Sequence, residues 1–482
     1  MVFNSLTFLV FFTIVFLIYW FPLKNTTRGQ NIFLLLASYF FYGYANWKML
    51  PLLIAATIIF YYLGKGIASA KSEKLSYRLT FMGVVLGVGT LLYFKYFNFF
   101  IESFAAIFEA CGLHTNLHTF NIIMPLGISF FTFRLLSYVI DIYRGKCKPT
   151  NDIIAFGTYI AFFPCLLSGP IDRPTFINQL KAVRTFEYEK AVDGCRQILW
   201  GMFKKVVVAD NCATYVDQVW GNIDGSSGST LVLAAILYSF QMYADFSGYS
   251  DMAIGVGKLL GFKITDNFRT PFFALNVADF WRRWHMSLTS WLTDYVFMPL
   301  NIRFRDWGNV GMILAIIINM IVVGMWHGAN WTFAVFGLYH GLLFVPLIIS
   351  GAFFKKAKLK TNKLGLPIAK DFGRMMLTFT LVTIGLMIFR AESVPQIGEY
   401  ICGICNKSLL SVPYLINRLY YIPQVIFILI MLAVEWLNRN KQHGLVLDGI
   451  QSRFLRYCIY IGLVIMMVWV GGNAETYIYF QF

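Results

Sequence analysis

Charge is what this chain lacks. Asp, Glu, Lys and Arg together make up only 13% of its 482 residues, about half the ~25% of an ordinary soluble domain, which excludes a soluble globular protein. Cysteine is sparse and scattered, at 111, 147, 165, 195, 212, 402, 405 and 458. Only Cys402-Gly-Ile-Cys405 has paired spacing, and with no second such pair or nearby histidine it argues against zinc. Incidental cysteines, or a labile disulfide in an outer loop, are the readings left. There is no G-x-S-x-G elbow, P-loop, G-x-G-x-x-G fingerprint or H-E-x-x-H helix, so the common serine-hydrolase, nucleotide-binding and zincin chemistries are absent.

What is abundant is apolar. Hydrophobic residues reach 58%, with 48 Phe, and they fall into runs of the ~20 residues that a bilayer-spanning helix needs. Spans are expected at 6–23, 31–44, 49–63, 79–99, 231–255, 310–326, 331–350, 375–389, 421–437 and 456–472. Less regular segments lie at 121–142, 151–169, 206–219 and 272–300. The fold class is therefore an all-α polytopic membrane protein of about 11 or more embedded helices, some not crossing fully. Residues 1–482 read as a single integral-membrane domain with no soluble part. The first run, Met1 to Trp20, has no basic leader or small-residue cleavage site and reads as a retained span.

The net charge of +16 comes from 40 Lys and Arg against 24 Asp and Glu. Its distribution is that of cytoplasmic loops. Loop 64–78 carries Lys65, Lys71, Lys74 and Arg78, whereas 100–120 has no Lys or Arg. Loops 355–374 and 438–455 are basic again. Both termini are then expected outside the cytoplasm. No basic patch with interleaved stacking aromatics lies in a polar domain, so membrane lipid is the expected partner and nucleic acid is not.

Polar residues within the apolar stretches mark candidate sites, because an ionisable group in a bilayer core needs a reason to be there. Segment 121–142 opens at Pro125-Leu-Gly127 and carries Arg134 and Asp141 on one helical face. Segment 181–205 is basic and amphipathic, and a helix on the membrane surface would account for Lys204 and Lys205. Tyr243-Ala-Asp-Phe-Ser-Gly-Tyr-Ser-Asp251 puts Asp245 and Ser247 inside an apolar run, where Asp245 either binds substrate or holds a buried helix pair. Asp266 to Pro271 looks like a turn.

Two histidines sit among tryptophans. In Asp279-Phe-Trp281-Arg282-Arg283-Trp284-His285, the arginines either snorkel and form ion pairs or meet an anionic donor, and His285 is structural or catalytic. In Trp326-His327-Gly-Ala-Asn330-Trp331, His327 ends one span where the chain turns outward. A neutral imidazole there could take a proton from an arriving hydroxyl, with Trp326 and Trp331 excluding water. The alternative is an interfacial histidine. His340, one span further, is a further lining candidate; His114, His118 and His443 fall in loops and have no expected role.

Taken together, these residues resemble the membrane-bound O-acyltransferases, in particular the bacterial branch that serves alginate O-acetylation and teichoic-acid D-alanylation. The likeness is carried by Met1-Val-Phe-Asn-Ser5, Pro125-Leu-Gly-Ile-Ser-Phe130, Gly169-Pro-Ile171, Gly201-Met-Phe-Lys-Lys-Val206 and Asp245-Phe-Ser-Gly-Tyr-Ser-Asp251. It continues in Phe280-Trp-Arg-Arg-Trp-His-Met-Ser-Leu288, Trp326-His-Gly-Ala-Asn-Trp331 and Tyr477-Ile-Tyr-Phe-Gln-Phe482. It covers nearly the whole chain and is densest over about 120–345. The sequence departs from the alginate pattern at Asn301-Ile-Arg-Phe-Arg305, where many relatives carry a glycine-rich turn, which bears on donor entry.

The resemblance implies a ring of transmembrane, re-entrant and interfacial helices around a central tunnel. It makes His327 the essential tunnel histidine and His285 the second characteristic polar position. It also implies an acyl donor on the cytoplasmic side, most naturally acetyl-CoA rather than a permanently bound cofactor, meeting Arg282, Arg283, Lys258 and Lys263. On the outer side it implies a secreted or periplasmic hydrolase-like acetyltransferase and a polysaccharide. The alternatives are D-alanyl transfer from a carrier-protein thioester to teichoic acid and, in a different class, a glycan or lipid transporter without acyl chemistry.

Overall fold

The computed structural model describes residues 1–113, 119–414, 418–471 and 477–478. His114, His118 and residues 479–482 of the tail lie outside them. Among the described residues every regular element is helical, apart from one isolated bridge between Thr361 and Pro367. The chain forms two compact units: residues 1–194 with 256–265, and residues 195–255 with 266–482. The sequence reading treats 1–482 as one domain; the structure draws each unit from two separate stretches, and the 120–345 segment contributes to both.

In chain order the first helices are α1 (Leu6–Trp20), α2 (Thr27–Asn46), α3 (Leu50–Ala68), α4 (Glu73–Leu91), α5 (Phe97–Ala110), α6 (Ile128–Tyr143), α7 (Ile153–Ala161) and α8 (Phe176–Lys181). They are followed by α9 (Tyr188–Met202), α10 (Asp210–Trp220) and α11 (Gly228–Leu259). Short helices α12 (Val277–Trp281), α13 (Met286–Leu292) and α14 (Met298–Arg303) lead into α15 (Gly308–His327) and α16 (Trp331–Ile349). The chain closes with α17 (Ala369–Arg390), α18 (Val394–Ile404), α19 (Arg418–Leu437) and α20 (Arg453–Val470).

Among the described residues, six helical stretches are long and apolar enough to cross a bilayer: Thr27–Ala68, Glu73–Ala110, Arg305–His327, Trp331–Ile349, Ala369–Arg390 and Arg453–Val470. Their ends carry side-chain caps where the chain turns. Ser72, Asn330 and Ser452 each accept a backbone N–H of the helix that follows, satisfying donors that a helix start leaves orphaned. This is a multi-pass membrane protein.

In the first unit several basic residues are held by protein partners. Arg134 is buried and donates to the carbonyls of Tyr159, Ile160 and Cys165, the acceptors left over where α7 ends and Pro164 prevents its continuation. Arg184 donates to Gln30 and Asn31 and to the Thr27 carbonyl, which ties it to the start of α2. Lys258 pairs with Asp193 at 2.5 Å, and the Lys263 backbone is held at both its N–H and C=O by Gln179.

Candidate active site

All the geometry below belongs to the second unit. α9 runs into a π-turn, Phe203–Ala209, before α10 begins. Just ahead of the turn, Gly201 lies so close to Gly248 of α11 that a Cβ on either would strike the other's carbonyl oxygen. The contact requires glycine on both helices, and it presses the π-turn against Asp245–Asp251. Lys204 Nζ donates to Ser247 Oγ at 2.9 Å and pairs with Asp251 at 2.5 Å. Lys205 Nζ pairs with Asp245 at 2.7 Å and Asp210 at 2.8 Å.

Lys204 and Lys205 are only 3% and 1% exposed, so the surface-helix expectation is corrected: both ammonium groups are buried in an ionic network. Buried charges survive only with such partners. Asp245 also accepts the Ile478 N–H at 2.9 Å, and Lys205 lies 4.3 Å from the centre of the Tyr477 ring. Of the two roles open for Asp245, the geometry is that of a buried helix pair, extended to a clamp on the C-terminal tail.

Phe246, one residue along α11, points elsewhere. Its ring meets the His285 imidazole edge-on at 4.6 Å. His285 has φ +42°, a left-handed conformation that a non-glycine residue adopts at a cost. Two backbone bonds pin it there, Arg269 N–H to Arg283 O and Met286 N–H to Asn267 O. Asn267 Oδ1 accepts from the Ser287 backbone N–H and hydroxyl and faces His285 Nδ1 at 3.0 Å. Because that oxygen is an acceptor, Nδ1 carries the proton and Nε2 the lone pair. Asn267 Nδ2 donates to Ser250 Oγ at 3.0 Å, which fixes the amide.

His285 is wholly buried and belongs to no spanning helix. Burial pushes its imidazole down to about 3, so the ring is neutral at physiological pH. The unfolded ring, with an ordinary value of about 6.5, binds a proton that the folded one refuses. Stability from this group is therefore full above about pH 6.5 and is lost as pH falls toward 3. Melting temperatures of the wild type should drop between pH 7 and 5 more steeply than those of His285→Gln, and identical slopes would contradict the assignment.

Trp326 joins the two sequence motifs. Its ring lies 5.5 Å from His285 and 4.7 Å from His327, both edge-on. His327 is the last residue of α15 and is 5% exposed. It packs against Phe389 of α17 at 5.0 Å and Phe336 of α16 at 6.3 Å. Phe336 in turn lies 4.7 Å from His340, and Trp281 Nε1 donates to His340 Nδ1 at 3.3 Å. Gly385 makes room for that third imidazole, since a Cβ there would run into it. His285, Trp326, His327, His340 and Trp281 thus form one buried aromatic cluster.

The remaining candidates stand differently. Trp284 stacks on Phe280 and meets Phe268 edge-on, supporting the His285 turn from behind. Arg283 pairs with Asp279 at 3.1 Å, and Asp279 also accepts the Leu275 N–H; the ion-pair reading holds for that arginine. Arg282 donates to the Phe353 carbonyl at 2.7 Å. Asn330 caps α16 and donates to the Glu392 carbonyl, which fixes the turn between α15 and α16. Trp331, expected to exclude water beside His327, is 55% exposed and offers little cover.

Asn267 is the residue that sequence reading passed over as part of a turn. The signal available was an amide between a basic-aromatic motif and a helix, and that alone does not single out a side chain. Asn267→Ala should lower the rate of acyl transfer by about 10²-fold with substrate affinity little changed, since misorienting a reacting group costs on that order. Steady-state kinetics giving an unaltered kcat would contradict this.

Two comparisons bear on what the cluster does. Residues 150–389 match the family model "MBOAT, membrane-bound O-acyltransferase family", a stretch that holds both lysines of the ionic network and all three clustered histidines. Over 427 residues the chain is 38% identical to the "Probable alginate O-acetylase AlgI" of Azotobacter vinelandii, covering 85% of this chain and 81% of that one. The chain belongs to the membrane-bound O-acyltransferase family. It is an acyltransferase, and the transporter alternative falls away. The "Peptidoglycan O-acetyltransferase" of Helicobacter pylori is 28% identical across 100% of this chain and 98% of its own length. The "Teichoic acid D-alanyltransferase" of Bacillus subtilis is 32% identical over 289 residues, 56% of this chain and 70% of that one.

Proposed function

We propose that the protein transfers an acetyl group from a cytoplasmic thioester, acetyl-CoA, to a hydroxyl on the opposite side of a bacterial inner membrane, for O-acetylation of an extracytoplasmic polysaccharide. The observation that carries the proposal is the Trp326 ring held between His285 and His327, two imidazoles buried in one aromatic cluster. His327 acts as general base. As the acceptor oxygen attacks the thioester carbonyl, its proton passes to the His327 imidazole; the C–O bond forms, the C–S bond breaks, and the proton leaves with the thiol. His285, neutral and fixed by Asn267, orients the reacting group through Nε2 or receives a hydrogen bond from it. Exclusion of water by the aromatic wall protects the thioester from hydrolysis.

Similarity to alginate and peptidoglycan O-acetylating proteins over most of the chain supports an acetyl donor and a glycan acceptor. The teichoic acid D-alanyltransferases support the second reading, a carrier-protein thioester, over a little more than half of it. In the favoured reading a secreted or periplasmic hydrolase-like enzyme completes transfer onto the polymer, and both termini of this chain lie outside the cytoplasm. Purified protein in nanodiscs, given acetyl-labelled CoA and a short glycan acceptor, should release free CoA and label the acceptor. Labelling only from a D-alanyl carrier protein would move the assignment to the second reading.

A further inference from the structure

The proposed reaction gives no task to His340. Yet this imidazole is 1% exposed within the spanning helix α16, where an ionisable group needs a reason to be present. Trp281 Nε1 donates to its Nδ1 at 3.3 Å. That nitrogen therefore holds the lone pair and Nε2 the proton, the reverse of His285. The two rings meet edge-on at 5.2 Å. The Nε2 edge faces the α17 backbone at Gly385, where a Cβ would strike it, so the ring has no room to swing away from Trp281.

α15 and α16 lie backbone against backbone. A Cβ on Gly324 would strike the Phe333 carbonyl oxygen, and one on Gly337 that of Met320, the close approach that small residues allow between membrane helices. His327, which ends α15, and His340, within α16, therefore sit on one rigid hairpin. Phe336 bridges them, at 6.3 Å from the first ring and 4.7 Å from the second.

His285 comes from outside that hairpin, on the turn after α12. The Arg282 N–H bonds to the Ala278 carbonyl, and those of Arg283 and Trp284 bond to the Phe280 carbonyl, so a shift of Trp281 is carried straight into the turn. α12 is fastened to α16 by the Trp281–His340 bond and, just past the helix end, by Arg282 donating to the Phe353 carbonyl at 2.7 Å. The second bond is exposed, and water can replace it. The first is buried, where a lost partner leaves a polar atom unsatisfied.

We propose that His340 is a positioning residue: through the Trp281 N–H it holds the His285 turn in register with His327. The inference rests on the acyl-transfer reading above and deepens it, because it names what sets the placement of the two reacting imidazoles. Support of this kind from outside the reacting groups is what keeps a site in productive geometry.

The test pairs acyl-transfer kinetics with nitrogen NMR of histidine-labelled protein, both on the full-length chain in nanodiscs. Trp281→Phe removes the donor and keeps a ring. His340→Leu removes the acceptor, and His340→Asn keeps one near the Nδ1 position. Melting temperatures check that each variant is folded. Trp281→Phe and His340→Leu should each lower kcat by about 10²-fold with KM unchanged, the cost of a misplaced reacting group. The double variant should be no slower than the slower single one, because both changes break the same bond. His340→Asn should keep most of the wild-type rate, although asparagine fills less space than leucine.

In the wild type the His285 signal, identified by its absence from His285→Gln, should be that of the Nδ1–H tautomer alone. In Trp281→Phe and His340→Leu it should become a mixture. A wild-type kcat in His340→Leu, an asparagine variant as slow as the leucine one, a rise in KM alone, or an undisturbed His285 signal overturns the proposal. The NMR readout needs no substrate. If the wild type transfers no acyl group from any thioester, the proposed function fails, and the His285 signal still decides whether His340 holds the turn.

Discussion

His327→Ala should cut acyl transfer by about 10²–10⁴-fold, the range a positioned general base supplies, while the protein stays folded. The ring ends α15, and its packing is lateral, against Phe389, Phe336 and Trp326. Removing it leaves a gap at a helix terminus and does not sever a turn. His327→Gln keeps most of the volume and a hydrogen-bonding tip but has no basic nitrogen, so it should lose nearly as much rate as alanine with a smaller change in stability. Initial rates of CoA release for the three proteins check both statements. A glutamine variant close to the wild-type rate would mean that His327 binds or packs and does not take the proton.

The largest effect on stability is expected from Lys205→Met. One ammonium group bridges Asp245 and Asp210 and lies against the Tyr477 ring, with all of these groups buried. Methionine preserves the volume and leaves two carboxylates close together without their cation. Breaking a buried pair in this way costs about 3–5 kcal/mol, a large fraction of the 5–15 kcal/mol that separates most folded proteins from unfolding. Thermal unfolding in nanodiscs should show a loss of melting temperature larger than that of Asp245→Asn, which removes one charge and keeps an acceptor for the Ile478 N–H. Combining the two changes should cost less than their sum, because the second removes a charge that the first has stranded. A strictly additive double variant would show that the groups do not share one network.

Much of this architecture was legible in the sequence because bilayer spans depend on composition over ~20 residues, which is local. Among the described residues each expected span overlaps a helix, although those at 6–23, 231–255 and 421–437 are not among the six crossing candidates. The candidate cluster was legible for a related reason: histidines flanked by tryptophans in apolar runs are rare enough to stand out, and His285, His327 and His340 do pack into one cluster. Pairwise burial was not legible. Lys204 and Lys205 look like an interfacial basic pair until α9 opens into its π-turn and Gly201 meets Gly248. Except for Asp210, their partners Asp245, Ser247 and Asp251 lie about 40 or more residues away, with no periodicity to connect them. Asn267 was hidden because its importance lies in three hydrogen bonds made by one amide oxygen. Trp331 was misjudged because a tryptophan next to a site need not face it.

The central claim is that His285 and His327 act as one site across Trp326, and a double-mutant cycle on single-turnover acetyl transfer tests it most directly. Residues that act as a unit lose rate non-additively. His285→Ala/His327→Ala should therefore be no slower than the slower of the two single variants. Losses that multiply, or a His327→Ala protein that still turns over like the wild type, would contradict it.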